Sequence, residues 1–427
     1  MNSKFCSLRI ILKNYGLLLN LLQEEKNNSS NGFQRSFEKS ERIKYPNLIP
    51  LWIAIFIDIL GFSILIPFLP IFVEIFETNE FIIGLLLATN AMFSFFFAII
   101  LGKLSDKFGR RPLLLISQIG TMVGFLMLAF STSLEMLFLS RIVDGIFGGN
   151  YPIAKAIISD SVPPKDRPIQ MTNVGVCHVL SSLIGPGLGG VLSIWGIMAP
   201  GLVAAGLSLF TIIITFFLLK ETWPKHNRVK KDKDKVKIKI RKNKNAMFLL
   251  TQWGFHTVSF IIYVSTFSLF AASVLGLDGF QIGMLLMLSG IFRAIIRFTL
   301  FKPTLNKLGL NKMLKLGLGI FTVIFFLIGF TQYWQQALIL LLFVSFAASC
   351  TRGTLSSKIT QSVTPKEQGK INGYSSALDS FAQIIGPLLG GFILWAFEPY
   401  WLGIIMSIFS LVAFFMAFKK LNLKTTK

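Results

Sequence analysis

The chain has 427 residues, of which 53% are apolar, 15% charged and 43 are Phe, with a mean hydropathy of +0.66. That much apolar surface exceeds what a soluble core of this length can hide, which excludes soluble single-domain, small secreted and disordered classes. Lys plus Arg number 42 against 20 Asp plus Glu, a formal charge of +22, and the meaning of that excess depends on where it sits.

Taken in chain order, residues 1–49 form a tail. Phe5, Leu8, Leu12, Tyr15, Leu19 and Leu22 recur at three- and four-residue spacing with Lys4, Arg9 and Lys13 between them. That pattern predicts a basic amphipathic helix lying on a membrane surface. A disordered tail or an over-extended start fits the same residues, and no small-residue cleavage site follows to mark a secretory signal. Residues 50–420 then divide into twelve apolar stretches: 50–72, 81–102, 112–131, 135–157, 168–192, 199–220, 247–272, 280–302, 314–331, 337–358, 371–394 and 400–418. Each is long enough to cross a hydrocarbon core of about 30 Å as a helix. None alternates apolar and polar as a barrel strand does. The expectation is an all-α polytopic membrane protein, with six-helix bundles at 50–220 and 247–418, a basic linker at 221–246 and a short tail at 419–427.

The loops account for the charge. Segments 73–80, 132–134, 193–198, 273–279, 332–336 and 395–399 contain no Lys or Arg. The alternate loops carry Lys103, Lys107, Arg110 and Arg111, then Lys165 and Arg167, then Lys302, Lys307 and Lys312, then Lys366 and Lys370. The linker alone holds eleven. This distribution follows the positive-inside rule and predicts both termini in the cytoplasm of a multi-pass plasma-membrane protein. Nucleic-acid binding, the other reading of a basic chain, lacks interleaved stacking aromatics. Cys6, Cys177 and Cys350 are odd in number and scattered, so neither a disulfide framework nor a metal cluster is expected. No cofactor motif, nucleophile elbow or Walker loop is present, which argues against an enzyme and an ATP-driven pump.

The two halves repeat each other. SDSVPPKDR at 159–167 matches TQSVTPKEQ at 360–368, GPGLGG at 185–190 matches GPLLGG at 386–391, and DKFG at 106–109 matches NKLG at 306–309. Parallel repeats of six spans are a transporter architecture with the binding site between the halves.

Three motifs carry chemistry. GKLSDKFGRRPLLL at 102–115 joins the second and third spans. Gly102 and Gly109 allow close approach and a turn, Asp106 can cap a helix or pair with Arg110, and Pro112 suits a helix start. The segment resembles the conserved cytoplasmic loop of the major facilitator superfamily, with every position filled, Arg111 included. The resemblance implies a latch in which Asp106 and Arg110, with Asp160 as partner of the arginine, hold the halves together in an outward-open state. In the fourth span Arg141 lies inside the membrane, where an ionised residue defaults to a functional role. Asp144 is one turn on, so an internal ion pair is the structural alternative. Arg141 and Gly145 resemble the fourth-helix motif of facilitator antiporters, where the Arg tunes protonation of a nearby acid. SSLIGPGLGG at 181–190 resembles the fifth-helix antiporter motif, with Gly185, Gly189 and Gly190 forming a close-packing face and Pro186 a bend.

Asp58, in DILGFSILIPFLP at 58–70, is an acid buried in an apolar run and suits a carboxyl that takes up and loses a proton. Its spacing is similar to the first helix of tetracycline-efflux-like drug:proton antiporters. The ninth span here has no acid where that branch carries one, which argues against tetracycline itself. Asp58, His178, Arg293, Arg352 and Asp379 all lie about 6–10 residues from the basic loops, or about 9–15 Å deep. They are candidates for a polar belt in the lower cavity, and Arg352 and Asp379 are placed to pair. His256 is a further cavity candidate, although histidines such as His178 and His256 are more often hydrogen-bonded packing residues than proton carriers. Asp58, Arg141, Asp144 and Asp379 are the candidate proton-coupling residues. Three acids against Arg141, Arg293 and Arg352 leave the charge of the cargo open. The expected activity is proton-coupled efflux of a small amphipathic molecule by a monomer working by alternating access. Metabolite uptake or facilitated diffusion is the alternative, and a membrane receptor or polytopic enzyme a remote one.

Overall fold

The structure is a computed structural model and describes residues 45–163, 166–223, 243–364 and 367–419. The surface helix expected within residues 1–44 and the linker residues 224–242 lie outside the described residues. Among the described residues there are helices and no strands. We number the α-helices in chain order: α1 Ile49–Leu65, α2 Leu69–Ile75, α3 Glu80–Phe108, α4 Arg110–Ala129, α5 Leu134–Phe147, α6 Asn150–Ser161, α7 Arg167–Leu192 and α8 Met198–Leu218 in the first half. The second half has α9 Lys244–Leu275, α10 Gly279–Thr299, α11 Phe301–Ile328, α12 Trp334–Gln361, α13 Gln368–Ala396 and α14 Tyr400–Met416. Ten continuous segments are long and apolar enough to cross a membrane, counting α1 and α2 as one, and α14 is a shorter apolar helix. With the α5–α6 pair these make the twelve spans.

Two spans expected to be continuous are broken. In the first, Pro67 sits in a 3-10 turn over Ile66–Phe68 that separates α1 from α2, because proline removes a helical donor. In the fourth, the apolar pattern runs through but the backbone stops at Gly148 and restarts at Asn150. Ser117 of α4 stitches the break, donating to the Phe147 carbonyl and accepting from the Gly149 N–H at 3.1 Å. The segment 103–108, expected as loop, is helical instead, leaving Gly109 alone between α3 and α4 with φ 109° and ψ 155°. Its repeat mate Gly309 has φ 72° and ψ 165° inside α11. Only a residue without Cβ adopts this backbone freely, so the two repeat glycines make the same joint.

In lipid there is no hydrophobic drive between helices, so close packing of small residues holds spans together. The halves meet in this way near the end lacking Lys and Arg. There α3 packs on α13 and α7 on α10. Gly190 Cα approaches Gly283 closely enough that a Cβ on Gly190 would lie 2.9 Å from it, and a Cβ on Gly391 would lie 3.2 Å from Gly84 Cα. A core of Phe68, Phe72, Ile83, Leu86 and Phe125 from the first half includes Leu269 of α9, sealing the same end. Toward the basic loops the picture reverses, and Gly102, Gly175, Gly369 and Gly373 have open space where a Cβ would stand.

Candidate functional site

Three groups of polar side chains stand out. The first is at the basic end of the first half. The single-residue joint at Gly109 turns the end of α3 back against the start of α4, so Asp106 and Arg110 come together at 2.7 Å. Arg110 Nε donates to Asp160 Oδ2 of α6 at 2.9 Å, and its Nη1 to Ser105 Oγ at 2.6 Å. Glu221, past α8, accepts the Arg110 and Arg111 backbone N–H groups at 2.9 and 3.2 Å, satisfying free donors at a helix start. Trp223 donates its indole N–H to the Asp106 carbonyl at 3.1 Å and lies under the Arg110 guanidinium at 5.4 Å. Arg111 donates to the Phe216 carbonyl and stacks over its ring. All of these residues belong to the first half. The latch expected between the halves is not formed by them here, since the halves are apart at this end and the arginine's partners lie within its own half.

The second group lies among α1, α3, α4, α5, α6 and α8. Asn150, the first residue of α6, donates from Nδ2 to Asp58 Oδ1 at 2.7 Å. Both line a small pocket with Ala54, Gln118, Thr121, Ser208 and Thr211. Arg141, 3% exposed, pairs with Asp144 Oδ2 at 3.3 Å, one helical turn away. Asn90 of α3 donates to the same oxygen at 2.9 Å and to the Arg141 carbonyl at 3.1 Å. Arg141 therefore has Asp144 as its partner, and Asp144 is the charged neighbour of Asp58.

The third group faces the space between the halves. Arg352 of α12 pairs with Asp379 Oδ2 of α13 at 3.2 Å and is half exposed. Trp253 and Thr257 of α9 donate to Asp379 Oδ1 at 2.8 and 3.4 Å, and the Arg352 guanidinium lies over the Trp253 ring at 5.5 Å. Arg293 of α10 reaches across to Ser182 Oγ of α7 at 3.1 Å. His178 is exposed and has Arg352 and Arg293 as charged neighbours. Lys155 of α6 is a charged neighbour of Asp379. The expected single belt thus resolves into two clusters, since Asp58 turns into the first-half pocket. His256, a cavity candidate, takes the packing role instead. It is 4% exposed and lies against Phe321 and Phe260, a packing residue of the second-half core.

The glycine motif positions α7 on both sides. A Cβ on Gly185 would meet Ser63, and one on Gly189 the Ile64 backbone, both of the first span, whereas Gly190 faces Gly283 of the other half. Pro186 lies inside α7, as Pro387 lies inside α13. Ser181, where the motif has its first glycine, donates to the Phe56 carbonyl at 2.6 Å. Sequence reasoning passed over Asn90, Asn150, Lys155, Trp253 and Trp223. Asn150 follows a glycine pair within an apolar span, and that is the one signal that could have marked it. Among the described residues no cluster of three His, Cys, Asp or Glu could hold a metal.

A family model of the Major Facilitator Superfamily matches residues 51–302 and 298–427. Among curated proteins, the class G tetracycline resistance protein of Vibrio anguillarum is 30% identical over 78% of this chain and 86% of its own length. The multidrug resistance protein MdtG of Proteus mirabilis is 28% identical over 81% of this chain and 89% of its own. Among solved structures, the human organic anion transporter MFSD10 (TETRAN) superposes with a TM-score of 0.65 at 21% identity, covering 87% of this chain and 99% of that one.

Proposed function

We propose, for a chain that belongs to the Major Facilitator Superfamily, proton-coupled efflux of a small amphipathic molecule by alternating access. The names of the tetracycline and multidrug resistance relatives support the direction. The basic loops support a cytoplasmic placement of the Asp106–Arg110 end and of both termini, in the cell membrane. With that orientation the arrangement is inward-open, sealed at its outer end by Gly190 against Gly283 and Gly84 against Gly391. The bundles 50–220 and 247–418 then rock about that seal, joined by 221–246, in a chain that works as a monomer.

The observation that carries proton coupling is the environment of Asp58. Its partner is a neutral amide, Asn150, and among the described residues no cation lies within ion-pair distance. Asp144 and Asp379 are each ion-paired with an arginine. Of the three deep acids, Asp58 is the one free to gain and lose a proton without breaking an ion pair. In this reading Asn150, standing at the break between α5 and α6, positions the carboxyl. Asp106, Arg110 and Asp160 brace the basic end of the first half and engage the second when that end closes.

The test is transport in proteoliposomes under an imposed proton gradient. Asp58→Asn is expected to lower gradient-driven flux at least about 100-fold, in the range general acid–base groups contribute, while downhill exchange of cargo persists. Gradient-driven flux at the wild-type rate would overturn the assignment.

A further inference from the structure

Counting charges in the sequence gives three deep acids against three arginines, a balance that says nothing about the cargo. The structure redistributes them. Asp144 is neutralised by Arg141 inside the first half, where Asn90 holds the same oxygen. Asp58 turns into the first-half pocket toward Asn150. Among the described residues, the space between the halves is left with Arg293, Arg352 and Lys155 against Asp379. Lys155, unremarked in the sequence, enters because its charge faces Asp379 across the halves.

Two cations in excess within a membrane span are costly unless something compensates them. Arg293 meets Ser182 Oγ, and among the described residues no carboxylate lies within ion-pair distance of it. A guanidinium has five N–H donors, so most of its capacity is unspent on described partners. Arg352 is steered by Asp379 and by the face of Trp253, yet half of its side chain remains accessible. Arg352 is a charged neighbour of Arg293. Two guanidinium groups with donors to spare are thus electrostatic neighbours, one of them over the ring of Trp253. Planar forks beside aromatic faces suit a carboxylate or sulfonate carried on an apolar ring system.

We propose that the cargo is an amphipathic organic anion, its carboxylate or sulfonate held between Arg293 and Arg352. The proposal rests on the transporter reading above but not on proton coupling or direction of flux. Asp379 acts here as a positioning residue that orients Arg352 and sets an upper limit on the positive charge of the site.

Binding to the purified full-length chain in phosphatidylcholine nanodiscs tests this without any gradient. The probes are fluorescein, an anion, and rhodamine 123, a cation on the same xanthene frame, followed by fluorescence anisotropy with empty nanodiscs subtracted. Fluorescein is expected to bind at least about tenfold tighter than rhodamine 123. Arg293→Gln and Arg352→Gln should each weaken fluorescein about tenfold, the scale of one charge-assisted hydrogen bond. Arg293→Lys should recover part of the loss, and the Tm of each variant shows that it is folded. Equal or tighter binding of rhodamine 123, binding of neither dye, or unchanged fluorescein binding in both folded glutamine variants overturns the proposal. Loss of gradient-driven flux in the Asp58 experiment, with anion binding intact, bears on coupling alone. Intact coupled flux with no anion preference sinks the anion reading and leaves the transporter reading in place.

Discussion

The two halves share a backbone plan and divide the chemistry between them. Gly109 and Gly309 make the same positive-φ joint, and Pro186 and Pro387 bend the same helix of each repeat. Around the first joint stand Asp106, Arg110, Asp160, Glu221 and Trp223 in one connected cluster. Around the second, Asn306 stands in place of Asp106, Leu310 in place of Arg110, and Gln361 in place of Asp160. The interiors differ as sharply. The first half buries Arg141, Asp144, Asn90, Gln118 and Asn150. The second half packs Phe267, Phe270, Phe321 and Phe325 around Tyr263. Glycine and proline set how a span bends, so a repeat can keep its shape while the two copies carry different ionisable groups.

The contrast can be broken at three places. The largest effect belongs to Arg141→Leu, which leaves Asp144 charged and buried without its partner. It should cost about 3–5 kcal/mol of stability, whereas Arg352→Leu, at a half-exposed pair, should cost about 0–1 kcal/mol. Thermal unfolding in detergent compares them, and equal losses would remove the distinction between a buried network and an open site. Next are Gly190→Val and Gly391→Val, which crowd the two repeat-related seals. Each should disfavour the observed arrangement by about 1–3 kcal/mol, the usual cost of overpacking. The readout is slower maleimide labelling of a cysteine placed at Gly373, with Cys6, Cys177 and Cys350 replaced by serine. If only one substitution slows labelling, the seals are not equivalent. The smallest effect is expected from grafting the first joint onto the second with Asn306→Asp and Leu310→Arg. Without an acid at Gln361 the new pair should raise stability by less than about 1 kcal/mol. A larger rise in Tm would mean that the joint, rather than the surrounding cluster, supplies the strength of the first-half version.

Most of the architecture is legible in the chain. Long apolar runs must become helices in lipid because nothing else satisfies their backbone, and the repeats of Gly109, Pro186 and Gly190 in the second half mark where those helices bend and touch. The breaks at Pro67 and Gly148–Gly149 are harder to read, because apolar periodicity continues across them. The site is legible only in its ionised members. Arg141, Asp58 and Arg352 stand out because charge in an apolar span is costly. Asn150, Asn90 and Trp223 do not, since a neutral amide or an indole at a loop edge is unremarkable until a partner 54 to 117 positions away arrives beside it. The balance of deep charges misleads for the same reason, because one-dimensional counting cannot tell which half each carboxylate turns into.

The seal between Gly190 and Gly283 brings two backbones together without side chains between them. A fulcrum made this way holds no information about cargo. If Arg293 and Arg352 hold the cargo as proposed, substitutions around them retune selectivity while the pivot stays mechanically silent. Changes at the pivot alter timing for every cargo alike. In the transport cycle proposed above, selection for a new cargo would act on a surface uncoupled from the bearing that moves it, so broad and shifting substrate ranges can arise on one unaltered machine.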